Sequence, residues 1–366
     1  MVASQRPVIV VEDDPFPRLI QVVLDPAMPE ARRAAFAHFF AHEAPDFPGW
    51  CDRLRGKLER IHPATVRLVS DEAALVAAMP GAQVVVAESL RIGAREIAAS
   101  GGSLRIVQKY GTVLSNIDQD ACQEAGVRVL TLRRRANIAC AEHALALMLA
   151  LARKITATNR LISIEQLRAA GYAPTQYDRA HTANANWARV TGTRTLYGKQ
   201  LGILGLGEIG RELAVRAAAF GMRLVYAQRR ALAPEDEARY GASFVGLDEL
   251  LSTSDFVSIH LPATDATRGI IGARELALIR RGAILVNVSR PQLVDRAALL
   301  ESLRAGRLGG FGLDPHYDAP GRPDDSLLAF VNVIVTPHIA AAPRFNSLDD
   351  FEEMLLGIEQ TLTKRA

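Results

Sequence analysis

The stretch LGILGLGEIGRELA, Leu201 to Ala214, narrows the fold more than any other part of the chain. An apolar run, Leu201 to Leu204, leads straight into Gly205-x-Gly207-x-x-Gly210 and then into a helical pattern. In such a loop the first glycine permits a tight turn. The second lets the backbone approach a pyrophosphate seated on the helix N-terminus, and the third lets helix and strand pack closely. A bare G-x-G-x-x-G says little by itself. Here a second strand, RLVYAQ at Arg223–Gln228, follows at the spacing of a βαβ unit, so the stretch reads as a dinucleotide loop. Gly205, Gly207, Glu208, Ile209 and Gly210 are its candidate cofactor residues.

The end of the second strand selects between cofactors. An acidic residue about 20 positions beyond the glycines would accept from the ribose 2′-hydroxyl of NAD. The candidate position is Gln228, followed by Arg229 and Arg230. No carboxylate stands there to repel a 2′-phosphate, and two guanidiniums are available to pair with one. NADP is the expected cofactor, with NAD possible.

Elsewhere, short β-branched runs alternate with Ala- and Leu-rich segments. PVIVVE, TVRLVS, AQVVVAE, LRIVQKY and VRVLTL read as strands in the first part. LGILGLG, RLVYAQ, FVSIHLP, GAILVNVS, GGFGLD and NVIVTPH read as strands in the second. Strands apolar on both faces and separated by helices imply parallel sheets with covered faces. The expected fold class is α/β: two Rossmann-like or flavodoxin-like domains with parallel sheets, separated by a cleft. A helix from about Ile138 to Ile155 is expected to bridge them. Two segments break the alternation. Residues 26–62 are helical in pattern and rich in Phe, and residues 162–187 read as an ordered polar loop.

Composition removes several function classes. With 43 Lys and Arg against 40 Asp and Glu, bulk charge does not mark a nucleic-acid binder. Three widely spaced cysteines without a CxxC suggest neither a disulfide framework nor a zinc site, and no other metal site is read. The N-terminus shows no signal-like apolar run, and no stretch reaches the roughly 18 apolar residues of a membrane span. A cytoplasmic protein acting on a small molecule, with no membrane or nucleic-acid partner, is expected.

In order along the chain, KYGTVLSNID, NIACAEHALALMLALAR, GKQLGILGLGEIGRELA, DFVSIHLPATDATRGIIG, GAILVNVSRPQLVDRAAL, GFGLDPHYDAP and NVIVTPHIAAAP resemble the blocks of the D-isomer-specific 2-hydroxyacid dehydrogenases. That family includes phosphoglycerate dehydrogenase and glyoxylate/hydroxypyruvate reductase. The resemblance implies hydride transfer between a nicotinamide and a 2-oxoacid or D-2-hydroxyacid, and a homodimer. It implies a discontinuous substrate-binding domain, 1–137 plus 340–366, and a dinucleotide-binding domain, 138–339. Arg290 matches the strand-end arginine that holds the substrate carboxylate and oxo group, and His338 matches the catalytic histidine. Asp314 matches an aspartate that adjusts the nicotinamide end. These roles suit the chemistry, because hydride addition to a carbonyl makes an oxyanion on which a fixed cation and a proton donor must converge. Further cofactor contacts are expected at His260, Leu261, Pro262, Val288, Ser289, Arg290, Asp314 and His338. Substrate contacts are expected at Tyr110, Gly111, Thr112, Arg134, Arg135 and Arg290.

Departures from the pattern carry their own expectations. The family reads Asp-Val-Phe-x-x-Glu-Pro where this chain has Asp314 to Pro320, so the glutamate that would partner the catalytic histidine is Ala319. Asp318, one residue early, is the favoured replacement and joins Arg290 and His338 as a candidate catalytic residue. His316 or Tyr317 taking over, or a reaction needing no charged dyad, are the alternatives. In the substrate loop Val113 and Ser115 replace a Gly and an Asp, and Pro291 replaces the Gly after the catalytic arginine. Arg133–Arg135 stand where a neutral turn is common, which suggests a larger or more acidic 2-oxoacid than glyoxylate. The alternative reading of function, prompted by Ala319, is a dinucleotide-binding family member with non-standard chemistry or a redox-sensing interaction role.

Overall fold

The computed structural model describes residues 6–363. They form two compact units, one of the described residues up to Ala139 together with those from Ala341 onward, the other Cys140–Ala340. The chain passes from one to the other within a single helix, Arg135–Ala152.

The first unit is built on a parallel five-stranded sheet. Its strands are β1 (Val8–Glu12), β2 (Thr65–Val69), β3 (Ala82–Ala87), β4 (Ile106–Lys109) and β5 (Arg128–Leu130), in the order β2-β1-β3-β4-β5. Val-rich β1 and β3 pair at its centre, buried on both faces, where β-branched side chains pack well. The Phe-rich segment supplies two helices, Glu30–Phe40 and Phe47–Arg55. Phe40 stacks on Phe47 at 5.2 Å between centroids and Phe47 on Trp50 at 5.9 Å, which makes the insertion part of this unit's core. The C-terminal helix, Phe345–Thr363, closes the same core with Phe351 stacked on Tyr110 at 5.5 Å.

The second unit holds a parallel seven-stranded sheet. Its strands are β6 (Gln200–Leu204), β7 (Arg223–Ala227), β8 (Ala242–Phe244), β9 (Phe256–Ile259), β10 (Ile284–Asn287), β11 (Gly310–Leu313) and β12 (Val333–Val335). The order β12-β11-β10-β9-β6-β7-β8 is that of a Rossmann sheet, and it reverses direction between β6 and β9. The expected fold class of two parallel-sheet α/β units holds. Short β8 was not legible as a strand. The expected bridging helix starts three residues earlier, at Arg135, and stops at Ala152, and Ile155–Thr158 form a separate turn of helix. The segment expected as a loop contains a helix, Ile164–Ala169, started by a capping box between Ser163 and Gln166. From there to Trp187 it is irregular and ties to itself, the Thr175 amide donating to the Trp187 carbonyl at 2.7 Å.

Candidate active site

The reversal of strand order places the glycine loop between β6 and helix Glu208–Ala219 at the carboxyl edge of the sheet. Its glycines answer three different demands. Gly205 has φ +97°, and a Cβ there would lie 2.9 Å from the His260 carbonyl oxygen. A Cβ on Gly210 would lie 2.3 Å from the Gly205 carbonyl oxygen, so helix and turn could not approach as they do. A Cβ on Gly207 would meet nothing within 4 Å. Gly207 is the N-cap of the helix with no side-chain cap, leaving first-turn amides for an anion. Open space over Gly207, close packing under Gly205 and Gly210, and an uncapped helix start fit a dinucleotide pyrophosphate. Glu208 and Ile209, the first helix residues, are half-buried.

Gln228, just past β7, is tied back to this loop. Its Oε1 accepts from the Leu206 amide at 3.0 Å, and its Nε2 donates to the Arg230 carbonyl at 2.8 Å. Arg229 and Arg230 are exposed and have no ion-pair partner among the described residues. The turn that carries them is anchored by buried Tyr226, whose hydroxyl accepts from the Leu232 amide and donates to Glu237, both at 2.7 Å.

At the end of β9, His260 Nε2 contacts Ser258 Oγ at 2.8 Å, while Nδ1 is buried without a hydrogen-bond partner. Burial pushes this imidazole down to about 3, so it is neutral. Leu261 packs beneath Gly205, and exposed Pro262 lends its carbonyl to Thr267. Beyond β10, Val288 is turned into the core, and Ser289 Oγ donates to the Ile259 carbonyl at 2.8 Å. Arg290 follows, exposed, its guanidinium donating to the adjacent Ser289 carbonyl at 2.8 Å.

Asp314, at the end of β11, is fully buried. Its Oδ1 accepts from Thr336 Oγ1 at 2.7 Å and the Ile339 amide at 2.8 Å, and its Oδ2 accepts from the Ala340 amide at 2.8 Å. Asp314, expected at the nicotinamide end, holds the turn after β12 through these bonds. That turn carries His338 at φ +57°, a left-handed conformation that costs a residue other than glycine about 1–3 kcal/mol. The imidazole of His338 is exposed and has no hydrogen-bond or ion-pair partner among the described residues.

Asp318 is also exposed, with no hydrogen-bond or ion-pair partner among the described residues, His338 included. The structure therefore does not seat it in the place of the missing glutamate. Tyr317 is directed elsewhere, its hydroxyl donating to the Val294 carbonyl at 2.9 Å. His316 reaches the histidine-bearing turn, with Nε2 2.8 Å from the Thr336 carbonyl oxygen. A residue that the sequence reading missed joins it there: His143 Nε2 lies 2.9 Å from Thr336 Oγ1 and 3.6 Å from Asp314 Oδ1. The available signal was a polar pair, Glu142 and His143, interrupting an otherwise apolar helix.

In the first unit the expected substrate residues have separate fates. Tyr110 is buried between Phe351 and Arg134, whose guanidinium lies 4.1 Å from its ring centroid, and it belongs to this unit's core. Gly111 accepts from the Leu132 amide, and Thr112 is exposed beside it. Arg134 is held by Glu88 at 2.6 Å. Burial pushes the Glu88 carboxyl above its ordinary range, and Arg134 opposes that shift. Arg135 pairs with Asp350 and Glu353 of the C-terminal helix, each at 2.8 Å. The charges of Arg134 and Arg135 are thus compensated within the unit. Both arginines, expected as substrate contacts, thus have structural partners within this unit.

Sheet order, glycine loop and strand-end Arg and His define the second unit as a dinucleotide-binding Rossmann domain. The family model for the D-isomer specific 2-hydroxyacid dehydrogenase NAD-binding domain matches residues 145–340. Over 296 residues the chain is 34% identical to D-3-phosphoglycerate dehydrogenase of Mycobacterium tuberculosis, a match covering 78% of this chain and 52% of that protein. The chain thus spans about half the length of that relative. Over 250 residues it is 36% identical to glyoxylate reductase of Korarchaeum cryptofilum, covering 68% of this chain and 70% of the relative. Among solved structures, a glyoxylate reductase from Paecilomyes thermophila superimposes with a TM-score of 0.54 at 26% identity, covering 98% of this chain and 96% of that one. The chain belongs to the D-isomer-specific 2-hydroxyacid dehydrogenase family.

Proposed function

We propose that the protein interconverts a 2-oxoacid and its D-2-hydroxyacid, with NADP preferred to NAD. The observation that carries this reading is the pair Arg290 and His338. Both are exposed at the carboxyl edge of the sheet that begins with the glycine loop, and neither has an ion-pair partner among the described residues. A bound nicotinamide would supply or accept the hydride. The Arg290 guanidinium would fix the substrate carboxylate and stabilise charge developing on the carbonyl oxygen. His338 would give a proton to that oxygen in reduction and take it back in oxidation. Since Arg134 and Arg135 are already paired, a substrate with one carboxylate is favoured over a dicarboxylic or phosphorylated one.

Support for NADP comes from Arg229 and Arg230, exposed beyond the end of β7 with no acidic residue at position 228. Fluorescence titration should show NADPH binding more tightly than NADH, and replacing both arginines with alanine should weaken NADPH alone. Equal affinities in the parent protein refute the preference. One observation favours a second reading, dinucleotide binding without this chemistry: His338 has no carboxylate within ion-pair distance among the described residues. NADPH oxidation across a panel of 2-oxoacids separates the two.

A further inference from the structure

Thr336 is gripped through each of its polar atoms. Its amide donates to the Leu313 carbonyl at 2.9 Å. Its hydroxyl donates to Asp314 Oδ1 at 2.7 Å, so the 2.9 Å contact with His143 is one in which Nε2–H donates to the threonine oxygen. Its carbonyl can only accept, so His316 also uses Nε2–H, at 2.8 Å. The same carbonyl takes the His338 amide at 2.9 Å. The loop that carries His316 is shaped around its ring: a Cβ on Gly321 would lie 2.6 Å from His316 Nδ1. Two histidines from different elements thus converge on the residue that leads into a left-handed His338, in a chain whose position 319 offers no carboxylate.

We propose that His143 and His316 are positioning residues that hold Thr336 by its hydroxyl and its carbonyl and so fix the turn that presents His338. This inference rests on the reading of His338 as the proton donor. It assigns to a pair of imidazole N–H donors, acting on Thr336, an orienting task that the absent glutamate cannot perform. Both rings face Thr336, and neither is assigned a contact with substrate. Their effect is on where the His338 ring points, and small misplacements of a catalytic group can cost up to about a hundredfold in rate.

Ring 15N spectra of the full-length protein give a first test that needs no substrate. Both rings should be protonated at Nε2, with those protons slow to exchange with water. A ring protonated only at Nδ1 overturns the assignment. His316→Leu and His143→Leu should each lower kcat about ten- to a hundredfold while the NADPH dissociation constant stays at the parent value. His316→Gln and His143→Gln, whose amide nitrogens can donate from the same place, should recover most of the loss. Gly321→Ala, which displaces the His316 ring, should act like His316→Leu. Leucine variants with parental kcat, or glutamine variants as slow as the leucine ones, overturn the proposal. Should the leucine variants fail to fold, the glutamine variants and the spectra decide. A parent protein that reduces no 2-oxoacid removes the functional reading and leaves the clamp to be judged by crystallography. Residue 338 should then leave the left-handed region in His316→Leu, and an unchanged φ refutes the clamp.

Discussion

His260 shows how much a single residue's surroundings decide. The sequence puts a histidine at a strand end, where the family resemblance implies a cofactor contact. The structure half-buries the ring beside the glycine loop, with Nδ1 enclosed and Nε2 against Ser258, and desolvation pushes its ionisation down to about 3. An unfolded chain would titrate this histidine near 6.5. Between those values the unfolded state binds a proton that the folded state does not, so stability is lost as pH falls from about 6.5 toward 3. Denaturant unfolding of the parent should therefore show a falling limb below pH 6.5 that His260→Gln makes shallower. Identical pH slopes would mean that the ring charges freely in the fold. The same dependence on surroundings limited the site reading. Arg290 and His338 could be placed because strand ends and motif order fix them. Asp318 and Ala319 could not be resolved, because the histidines found against the turn before His338 include His143, far from Thr336 in sequence and brought to it only by packing.

At the scale of elements, the glycine loop and the Val- and Ile-rich central strands were legible because local pattern and tertiary role agree. Each such strand is apolar on both faces and bounded by turn residues. The failures are elements whose local signal is short. Strand β8 has three residues, two of them exposed, and the helix Ile164–Ala169 sits in a polar stretch where only its capping box marks a start. Arg134 and Arg135 are hard to read from sequence for a related reason. A run of cations at a strand-to-helix junction reads as a charged rim, yet Arg135 fastens helix Arg135–Ala152 to the C-terminal helix through buried Asp350. Arg135→Ala should lower stability by about 2 kcal/mol, since it takes a charged hydrogen-bond partner from a buried carboxylate. It should leave the ranking of 2-oxoacids unchanged. A changed ranking at parental stability would return Arg135 to the substrate site.

At the scale of the molecule, the family's homodimer is a proposal that the nucleotide unit supports with an apolar surface. Tyr197, Val215 and Phe220 are exposed there, at 79, 51 and 42%, with the Tyr197 ring against Gly221 beside Phe220. Sedimentation at micromolar concentration should give twice the chain mass of 39.7 kDa, and a monomer would contradict it. The most direct test of the proposed chemistry is steady-state reduction of 2-oxoacids with NADPH by the parent, His338→Ala and Arg290→Ala, with cofactor affinity measured in parallel. A proton donor and a carboxylate anchor acting together predict a parent that turns over at least one monocarboxylic 2-oxoacid. His338→Ala should then be slower by roughly 10²–10⁴-fold with cofactor affinity intact. Full activity in His338→Ala across the pH range, or no turnover of any 2-oxoacid by a parent that binds NADPH, would contradict it.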